Sequence, residues 1–381
     1  MVIALLYAFA VHIKVPVSRP DIGDLEKNYV QSALDSGWIS SSGLFVDQFQ
    51  EEWAKECQSK YALAVSNGTV ALHLILVSLG IGPGDEVIVP SLTFIASANA
   101  IMYVGATPVF SDVNSDTWCL SLENIEPLIS SRTKAILNVD LYGNPSDLHS
   151  LEKFCEGKDI FLIDDAAEAP FATSRNRRVG SFGIASSFSF FGNKIISSGE
   201  GGAITTSNEV LWEKMKLLRD QGMDPKRRYF FPEIGFNYRL TNIQCALLCA
   251  QLARKDELIG KRNLLYSRYD EAFQNLEFIK HQKVDSFSKR SPWLYTFLVT
   301  GPLANRRNEI MSSLALKGIE TRPIFIPIHT LPPYLPHASL KLAITQTVSE
   351  TGISLPTSST MSSSEQEYVI EEFVNIYKSY N

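Results

Sequence analysis

The chain has 381 residues, of which 45% are hydrophobic and 20% are charged. It is longer than a typical domain of about 100–200 residues and has an ordinary globular composition, which excludes a short binding module and a disordered chain. The formal net charge of −6 disfavours general binding to nucleic acid or to an anionic membrane, although local amides and a few arginines can still hold an anionic ligand.

Residues 1–13 are apolar, and we interpret them as an N-terminal extension. The segment is shorter than the roughly 20 residues of a membrane-spanning helix. It also lacks the basic start of a secretory signal peptide. Three interpretations stay open: an extra strand, a contact with a partner, and an upstream extension of the reading frame.

Strands and helices alternate through the first part of the chain. The predicted helices are Asp24–Gly37, Phe45–Trp53, Val70–Leu79, Phe94–Val104 and Asp147–Cys155, and the predicted strands are Tyr61–Val65, Glu86–Val89, Thr107–Val113, Ala135–Val139 and Ile160–Ile163. This alternation indicates βαβ units. We therefore predict an α/β fold with a mainly parallel central sheet flanked by helices.

The pattern changes after Ser181, where strands and helices no longer alternate regularly. The predictions there are the strands Ser186–Phe191, Gly202–Thr206 and Trp293–Thr300, a long helix from Thr241 to about Phe273, a loop over His281–Ser291, and the helices Arg306–Lys317 and Ser364–Tyr377. We predict a large α/β domain over residues 14–255 and a smaller C-terminal α+β domain over 256–381. The boundary between them falls inside the long helix.

The cysteines give no sign of a disulfide or of a metal site. Their number is odd and they are widely spaced, at Cys57, Cys119, Cys155, Cys245 and Cys249. Such usage is typical of reduced thiols in a cytoplasmic protein. Cys245 and Cys249 would share one helix face, but no further Cys or His stands nearby to complete a zinc site. We predict no bound metal.

The first candidate site motif is Ser66-Asn67-Gly68-Thr69, which joins a predicted strand to a predicted helix. Free amides at a helix N-terminus bind phosphate, and a glycine there lets the backbone approach it closely. The alternative is a simple N-cap, which explains Asn67 and Thr69 equally well. The motif is neither a dinucleotide-binding fingerprint nor a Walker A loop.

The second motif is Asp164-Asp165, directly after an apolar strand. Successive side chains of a strand point in opposite directions, so one aspartate can face a cleft while the other serves a cap or a turn. A cleft-facing carboxylate that is buried requires a cationic partner. The alternative is an N-cap for a helix that follows.

The third motif places Lys194 between the apolar run Phe188–Phe191 and the Gly-rich turn Gly199–Gly202. Apolar surroundings lower the pKa of a lysine and make its amine nucleophilic. The alternative is an ordinary exposed loop lysine. A phosphate-binding turn, a carboxylate for a ring nitrogen and an apolar-flanked lysine together form the set of groups that a pyridoxal 5'-phosphate (PLP) site requires.

The order and spelling of these motifs resemble the DegT/DnrJ/EryC1/StrS sugar aminotransferases, a family of fold-type I PLP-dependent enzymes. The resemblance runs from about Val15 to the C-terminus. Its motifs are Gly37-Trp38-Ile39-Ser40, Ser66–His73, Gly82–Pro90, Asp164–Ala167, Ser189–Lys194, Gly199–Gly202 and Gly235–Leu240. Within the family the chain is most similar to the GDP-perosamine synthases, particularly in Phe190–Lys194 and in the stretch from Arg322 through His329 to Tyr334.

The resemblance assigns roles to individual residues. Lys194 matches the lysine that bonds covalently to PLP, and Asp165 matches the carboxylate that pairs with the pyridine nitrogen. Phe94 matches the aromatic residue that stacks on the ring. The matches to phosphate-binding residues are Gly68, Thr69, Ser189 and Asn237. Asn237 matches a residue that reaches the cofactor of the neighbouring subunit, so the implied assembly is a homodimer with shared sites.

Glu168 departs from much of the wider family, in which Gln or His stands at this position. The resemblance places it near the phenolic oxygen of the cofactor, where like charge disfavours an ionised carboxylate. We therefore expect Glu168 to be protonated or to point elsewhere. The resemblance also implies substrate contacts for Trp38, Arg228, Arg322 and His329.

The implied activity is transfer of an amino group from an amino acid, expected to be L-glutamate, to C4 of a nucleotide-linked 4-keto-6-deoxyhexose. Pyridoxamine 5'-phosphate would be the intermediate form of the cofactor, and the product would enter O-antigen or other polysaccharide biosynthesis. The alternatives are an aminotransferase on a UDP- or dTDP-linked keto sugar at C4 or C3, a PLP-dependent sugar dehydratase, and a non-catalytic domain of the same fold. Related 3-dehydratases carry His where this chain has Lys194, which favours transamination.

Overall fold

The computed structural model describes residues 13–338 and 340–380, so the predicted N-terminal extension lies outside the described residues except for Ile13. The helices are α1 (Asp24–Asp35), α2 (Leu44–Glu56), α3 (Gly68–Ser78), α4 (Ala96–Tyr103), α5 (Leu122–Ile125), α6 (Leu148–Lys158), α7 (Glu209–Arg219), α8 (Asn242–Ala253), α9 (Lys255–Phe273), α10 (Arg307–Leu316), α11 (Ala343–Thr351) and α12 (Ser363–Tyr380). The strands are β1 (Tyr61–Val65), β2 (Glu86–Pro90), β3 (Thr107–Ser111), β4 (Thr133–Val139), β5 (Phe161–Asp165), β6 (Thr173–Ser174), β7 (Arg177–Arg178), β8 (Ala185–Ser189), β9 (Gly202–Thr206), β10 (Ile279–His281), β11 (Ser288–Lys289), β12 (Tyr295–Val299), β13 (Arg322–Pro323) and β14 (Gly352–Leu355).

A seven-stranded sheet forms the centre of the molecule, in the order β1-β9-β8-β5-β4-β2-β3. β9 pairs antiparallel with β1 and β8, and the other neighbours pair in parallel. This confirms the predicted mainly parallel sheet. Because parallel strands bring their carboxyl ends to one edge, the residues that follow β2, β4, β5 and β8 meet there.

Large aromatic side chains pack against both the central sheet and a second sheet. Trp53 on α2 is fully buried, and its ring packs edge-on against Phe188 and Phe190 at centroid distances of 5.0 and 5.1 Å. A second, four-stranded antiparallel sheet has the order β10-β12-β14-β13. Its buried Phe297 lies 5.2 Å from the ring of Phe373 on α12. No helix among the described residues is long and apolar enough to cross a membrane.

The predicted single helix over residues 241–273 is wrong, because the chain leaves helical geometry at Arg254, where φ is −96° and ψ is 6°. The Arg254 guanidinium makes ion pairs with Asp21, Glu26 and Glu257 at 2.9, 2.8 and 3.1 Å. α8 and α9 therefore meet at a residue held by three carboxylates. The predicted loop over 281–291 is also partly wrong, since β10 ends and β11 lies within it.

A buried polar cluster lies behind the sheet at β4 and β5. The Asn138 amide donates at 2.9 Å to a carboxylate oxygen of Asp164 and at 2.9 Å to one of Asp140, and Ser146 donates to the Asn138 carbonyl at 2.6 Å. All of these side chains are buried, and the second oxygens of both aspartates have no partner among the described residues. Burial raises the pKa of Asp164 to about 7, with a contribution from the nearby charge of Asp165.

This environment makes stability depend on pH. The folded-state pKa of Asp164 lies above the value of about 3.9 in an unfolded chain, so the folded state binds the proton more tightly. We expect the free energy of unfolding to fall as pH rises from about 4 to about 7, and the Asp164→Asn variant to lose part of that fall. Urea denaturation at a series of pH values measures the free energy of unfolding of the wild type and of the variant. The exposed Asp35→Asn variant is the control, and parallel profiles for wild type and Asp164→Asn would contradict the prediction.

Candidate active site

Asp165 ends β5 and faces the ligand-binding edge of the sheet. The hydroxyl of Ser97 on α4 donates to its carboxylate at 2.8 Å, Ser187 on β8 donates at 3.4 Å, and the Ala167 N–H donates at 3.2 Å. Burial raises its pKa, while the Ser97 bond and the charge of Lys194 oppose that rise. Asp165 is thus a nearly buried carboxylate that a nearby cation partly compensates.

The two aspartates separate as strand alternation predicts, but Asp164 serves neither a cap nor a turn. It lies in the buried cluster with Asn138, its register partner on β4. The alternative of a helix N-cap is wrong as well, because the residues immediately after Asp165 form turns and no helix. A carboxylate on the far face of a central strand has no free backbone N–H to cap, so it bonds to a side chain of the neighbouring strand.

The turn between β1 and α3 confirms the N-cap interpretation, and phosphate binding there stays a prediction. Asn67 is the N-cap and accepts a hydrogen bond from the Val70 N–H at 3.0 Å. Because the first N–H groups of a helix have no intrahelical acceptor, this leaves those of Gly68 and Thr69 for a ligand. A Cβ at Gly68 would lie 3.1 Å from the Cβ of Ser189, so the turn lies directly against the end of β8. Gly68 and Ser189 therefore lie side by side at the carboxyl edge of the sheet.

Lys194 lies in the loop that follows β8, and its backbone N–H donates to the Phe191 carbonyl at 2.9 Å. The side chain is half-buried. Burial lowers its pKa, and the carboxylates of Glu168 and Asp165 act against that lowering. The alternative of an ordinary exposed loop lysine is therefore wrong, because Lys194 is half-buried and its ammonium lies 4.1 Å from the centroid of the Trp293 ring.

Glu168 points into the same cleft. It is buried, and its carboxylate accepts a hydrogen bond from the Tyr142 N–H at 2.7 Å. Burial raises its pKa to about 7, while the charge of Lys194 and the Tyr142 bond limit the rise. Glu168 therefore exchanges a proton near neutral pH, in line with the expectation that full ionisation is disfavoured there.

An aromatic wall, which the sequence analysis missed, runs along the cleft. Trp293, Tyr142 and Phe325 stack at centroid distances of 5.8 and 5.9 Å, and Phe325 lies 5.9 Å from the predicted ring-stacking residue Phe94. Tyr142 has a φ of 54°, in the left-handed region, and lies in the short segment that follows β4. Its place just after a parallel strand is the signal that would have marked it as a site candidate.

The predicted substrate contacts lie on separate segments of the chain, and Arg322 begins strand β13. Asn242 donates to the Trp38 carbonyl at 2.6 Å, and the Trp38 ring is 61% exposed. Arg228 lies over the ring of its neighbour Tyr229. Arg322 is exposed and pairs with Glu320 at 2.7 Å.

His329 and Asn237 lie nearer to the carboxyl ends of strands. The Ser91 hydroxyl, just after β2, accepts from the His329 N–H at 3.1 Å and lies 2.7 Å from its Nδ1. Asn237 is exposed, and its neighbour Tyr238 accepts a hydrogen bond from the Ser66 N–H at 2.9 Å. The segment that carries Asn237 thus borders the turn before α3 in the same chain.

All five cysteines are buried and free. Between residues 13 and 380, leaving aside 339, no three His, Cys, Asp or Glu side chains are grouped closely enough to hold a metal ion.

Comparison with known proteins agrees with this geometry. The family model described as "DegT/DnrJ/EryC1/StrS aminotransferase family" matches residues 20–374. GDP-perosamine synthase of Caulobacter vibrioides is 44% identical over 94% of this chain and 96% of that protein, and GDP-perosamine synthase of Escherichia coli O157:H7 is 40% identical over 95% and 98%. The PLP form of the putative sugar aminotransferase Spr1654 from Streptococcus pneumoniae superimposes with a TM-score of 0.89 at 29% identity, over 96% of this chain and 99% of that one. The chain belongs to the DegT/DnrJ/EryC1/StrS aminotransferase family.

Proposed function

We propose that this protein is a PLP-dependent aminotransferase that moves an amino group from L-glutamate to C4 of a GDP-linked 4-keto-6-deoxy sugar. The observation that carries the proposal is that Lys194, Asp165 and Glu168 come together at the carboxyl edge of the sheet, near enough for both carboxylates to oppose the lowering of the lysine pKa by burial. The similarity to GDP-perosamine synthases over nearly the whole chain supports the GDP-linked substrate.

The residues present fit PLP. The free N–H groups of Gly68 and Thr69 and the adjacent Ser189 suit a phosphate, because Gly68 packs so tightly against Ser189 that the backbone itself lines the pocket. The Asp165 carboxylate suits a protonated ring nitrogen, and the 57% exposed ring of Phe94 is free to stack. When bound, PLP acts as an electron sink for the bond that breaks at the amine carbon.

Lys194 would be the group that bonds to PLP and, once released, would carry a proton. Its pKa is lowered by burial yet supported by two acidic neighbours, so the amine exchanges protons more readily than a surface lysine. The negative charge of Asp165 would keep the ring nitrogen of bound PLP protonated. Glu168, whose pKa is about 7, supplies a hydrogen-bond donor or acceptor at the opposite side of the cleft.

We assign Trp38, Arg228, Arg322 and His329 to the nucleotide sugar. The bonds from Ser91 occupy the N–H and Nδ1 of His329, which leaves its Nε2 to contact a substrate. Two alternatives stay open: an aminotransferase on a UDP- or dTDP-linked sugar, and a sugar dehydratase. Assays of amine transfer to GDP-, UDP- and dTDP-linked sugars distinguish the first alternative from the proposal.

We also propose a homodimer with shared sites. Tyr229, Phe231 and Ile234 are 74, 51 and 92% exposed, and they lie just before Asn237. A cluster of exposed apolar side chains of this size marks an interface with another protein surface. A second copy that covers this cluster would bring Asn237 near the partner's cofactor phosphate.

We keep two further assignments as proposals. The chain divides near residue 255 into a large portion (14–255) and a small portion (256–381), which the break at Arg254 and the separate antiparallel sheet support. The protein acts in the cytoplasm, for which the five free thiols are the supporting observation.

The first prediction concerns the reaction and Lys194. L-Glutamate should bleach the visible absorbance of the PLP-loaded protein, and an amino group should then pass to a GDP-linked 4-keto-6-deoxy sugar in preference to its UDP- and dTDP-linked counterparts. Borohydride reduction followed by peptide mapping should place the pyridoxyl group on Lys194. Lys194→Ala should take up no label, whereas the exposed Lys153→Ala should behave as wild type. Label on another lysine would refute the assignment.

The second prediction compares the two adjacent aspartates. Asp165→Asn should retain PLP but lose roughly 10²–10³-fold in kcat, because a neutral amide no longer stabilises the protonated ring nitrogen. Asp164→Asn should keep most of its activity, since that side chain lies in the cluster with Asn138. Steady-state kinetics at saturating PLP measure both variants, and the reverse pattern would show that the wrong aspartate is assigned.

The third prediction tests the shared site. Lys194→Ala and Asn237→Asp should each be inactive, the latter because the new carboxylate repels the cofactor phosphate. In a mixed dimer with shared sites, one site carries both changes and the other carries neither. Activity should therefore return after subunit exchange and approach half of the wild-type value per heterodimer.

Two controls make the result decisive. Each variant alone, taken through the same exchange procedure, should stay inactive. If Asn237 serves the cofactor of its own subunit, as its proximity to Ser66 in the same chain would allow, every site keeps one change. Verified heterodimers without activity would then reject the shared-site proposal.

A further inference from the structure

The indole of Trp293 contacts the Lys194 loop in two ways. The Lys194 ammonium lies 4.1 Å from the centroid of the Trp293 ring. The indole Nε1–H donates at 2.9 Å to the carbonyl of Asn193, the residue immediately before the lysine. Trp293 itself is almost fully buried, so the ring is a fixed surface rather than a mobile one.

Trp293 is itself held in place from the side away from the lysine. The guanidinium of Arg262 on α9 is fully buried and donates to the carbonyls of Trp293 and Thr357 at 2.8 and 2.7 Å. Its Nε has no partner among the described residues. A buried cation without a carboxylate contact is costly, so its bonds to these two carbonyls are a specific structural requirement. Tyr142 covers the indole by stacking at 5.8 Å.

We propose that Trp293 is a positioning residue that holds the free ammonium of Lys194 on its ring face. The inference rests on the proposed function in one respect, namely that Lys194 is released when the amino group resides on the cofactor. A lysine freed in this cleft has two carboxylates within its electrostatic reach, Asp165 from β5 and Glu168 just after it. Direct pairing with Asp165 would neutralise the charge that the ring nitrogen requires.

The aromatic face offers the ammonium a third position. A cation over an indole is attracted by the electron-rich face of the ring, and the attraction is stronger when the cation is desolvated. This attraction comes without a negative charge, so Asp165 remains available for the cofactor. The Asn193 bond fixes the loop, and the ring fixes the end of the side chain.

The test uses cofactor-free protein and measures the pKa of Lys194 directly. Competitive labelling with acetic anhydride between pH 6 and 11, with quantification of the Lys194 peptide, gives a midpoint that reports the pKa and a plateau that reports access. The exposed Lys153 is the internal reference. Trp293→Leu removes the ring and Nε1, whereas Trp293→Phe removes Nε1 but keeps an aromatic face.

We expect Trp293→Leu to lower the midpoint of Lys194 by about one pH unit, which corresponds to a loss of about 1.4 kcal/mol of ammonium stabilisation. The midpoint of Lys194 in Trp293→Phe should stay within about 0.3 pH units of the wild-type midpoint. Entry of water into the space left by the ring would raise the midpoint instead, so the direction separates the two effects. Trp293→Met replaces Trp293→Leu if circular dichroism shows that the latter does not fold.

An unchanged or raised midpoint in the aliphatic variant, or an equal shift in Trp293→Phe, would overturn the proposal. Failure of this kind differs from failure of the proposed function. Wild-type amine transfer from L-glutamate tests the function and does not involve the variants. If the wild type transfers the amino group but the midpoint of Lys194 is unchanged in Trp293→Leu, only the role of Trp293 is rejected.

Discussion

The cleft depends on the balance between one lysine and two carboxylates that share a partly buried space. Burial raises the pKa values of Asp165 and Glu168 and lowers that of Lys194, and the opposite charges of the three groups limit each shift. The pKa of each group therefore lies closer to neutral pH than it would in water. A site that must hold and release protons requires such a balance, because a fully ionised pair would lock the lysine in place.

Strand geometry places these charges. β5 carries Asp164 and Asp165 to opposite faces, so one serves the cleft and the other the buried cluster with Asn138 and Asp140. The cleft aspartate is surrounded by hydroxyl groups from α4 and β8. Its neighbour is surrounded by an amide and another carboxyl group. Two identical residues in sequence thus differ in environment because the side-chain period of a strand is two.

The aromatic wall links the seven-stranded and the four-stranded sheets at the cleft. Tyr142 follows a strand of the central sheet, whereas Trp293 and Phe325 flank strands of the antiparallel sheet. The left-handed φ of Tyr142 directs its N–H to Glu168 while its ring stacks between the other two. Strain of this kind persists where surrounding contacts hold the residue, and here these contacts position both a carboxylate and the surface beneath Lys194.

Local patterns in the sequence predicted the elements and their chemistry. Alternating strands and helices indicated the parallel sheet, and β1 and β9 begin and end where the apolar runs predicted. Asp165, Lys194 and the turn at Gly68 were recognisable because polar or flexible residues directly follow apolar strands. The spelling of these motifs indicated the family, which the match over residues 20–374 confirmed.

Long-range contacts decided the rest. The break at Arg254 depends on Asp21 and Glu26, which lie more than 220 positions earlier and leave no mark on the local helical pattern. Trp293 lies about 100 residues from Lys194, and its role follows only when the fold brings the two together. The pKa values of Asp164 and Glu168 likewise come from burial, which is a property of packing around a residue and not of its neighbours in the chain. The sequence by itself therefore determined which reactive groups stand at the ends of strands, and the tertiary structure decided which of them share a cleft, because charges and rings interact through space over a few ångströms.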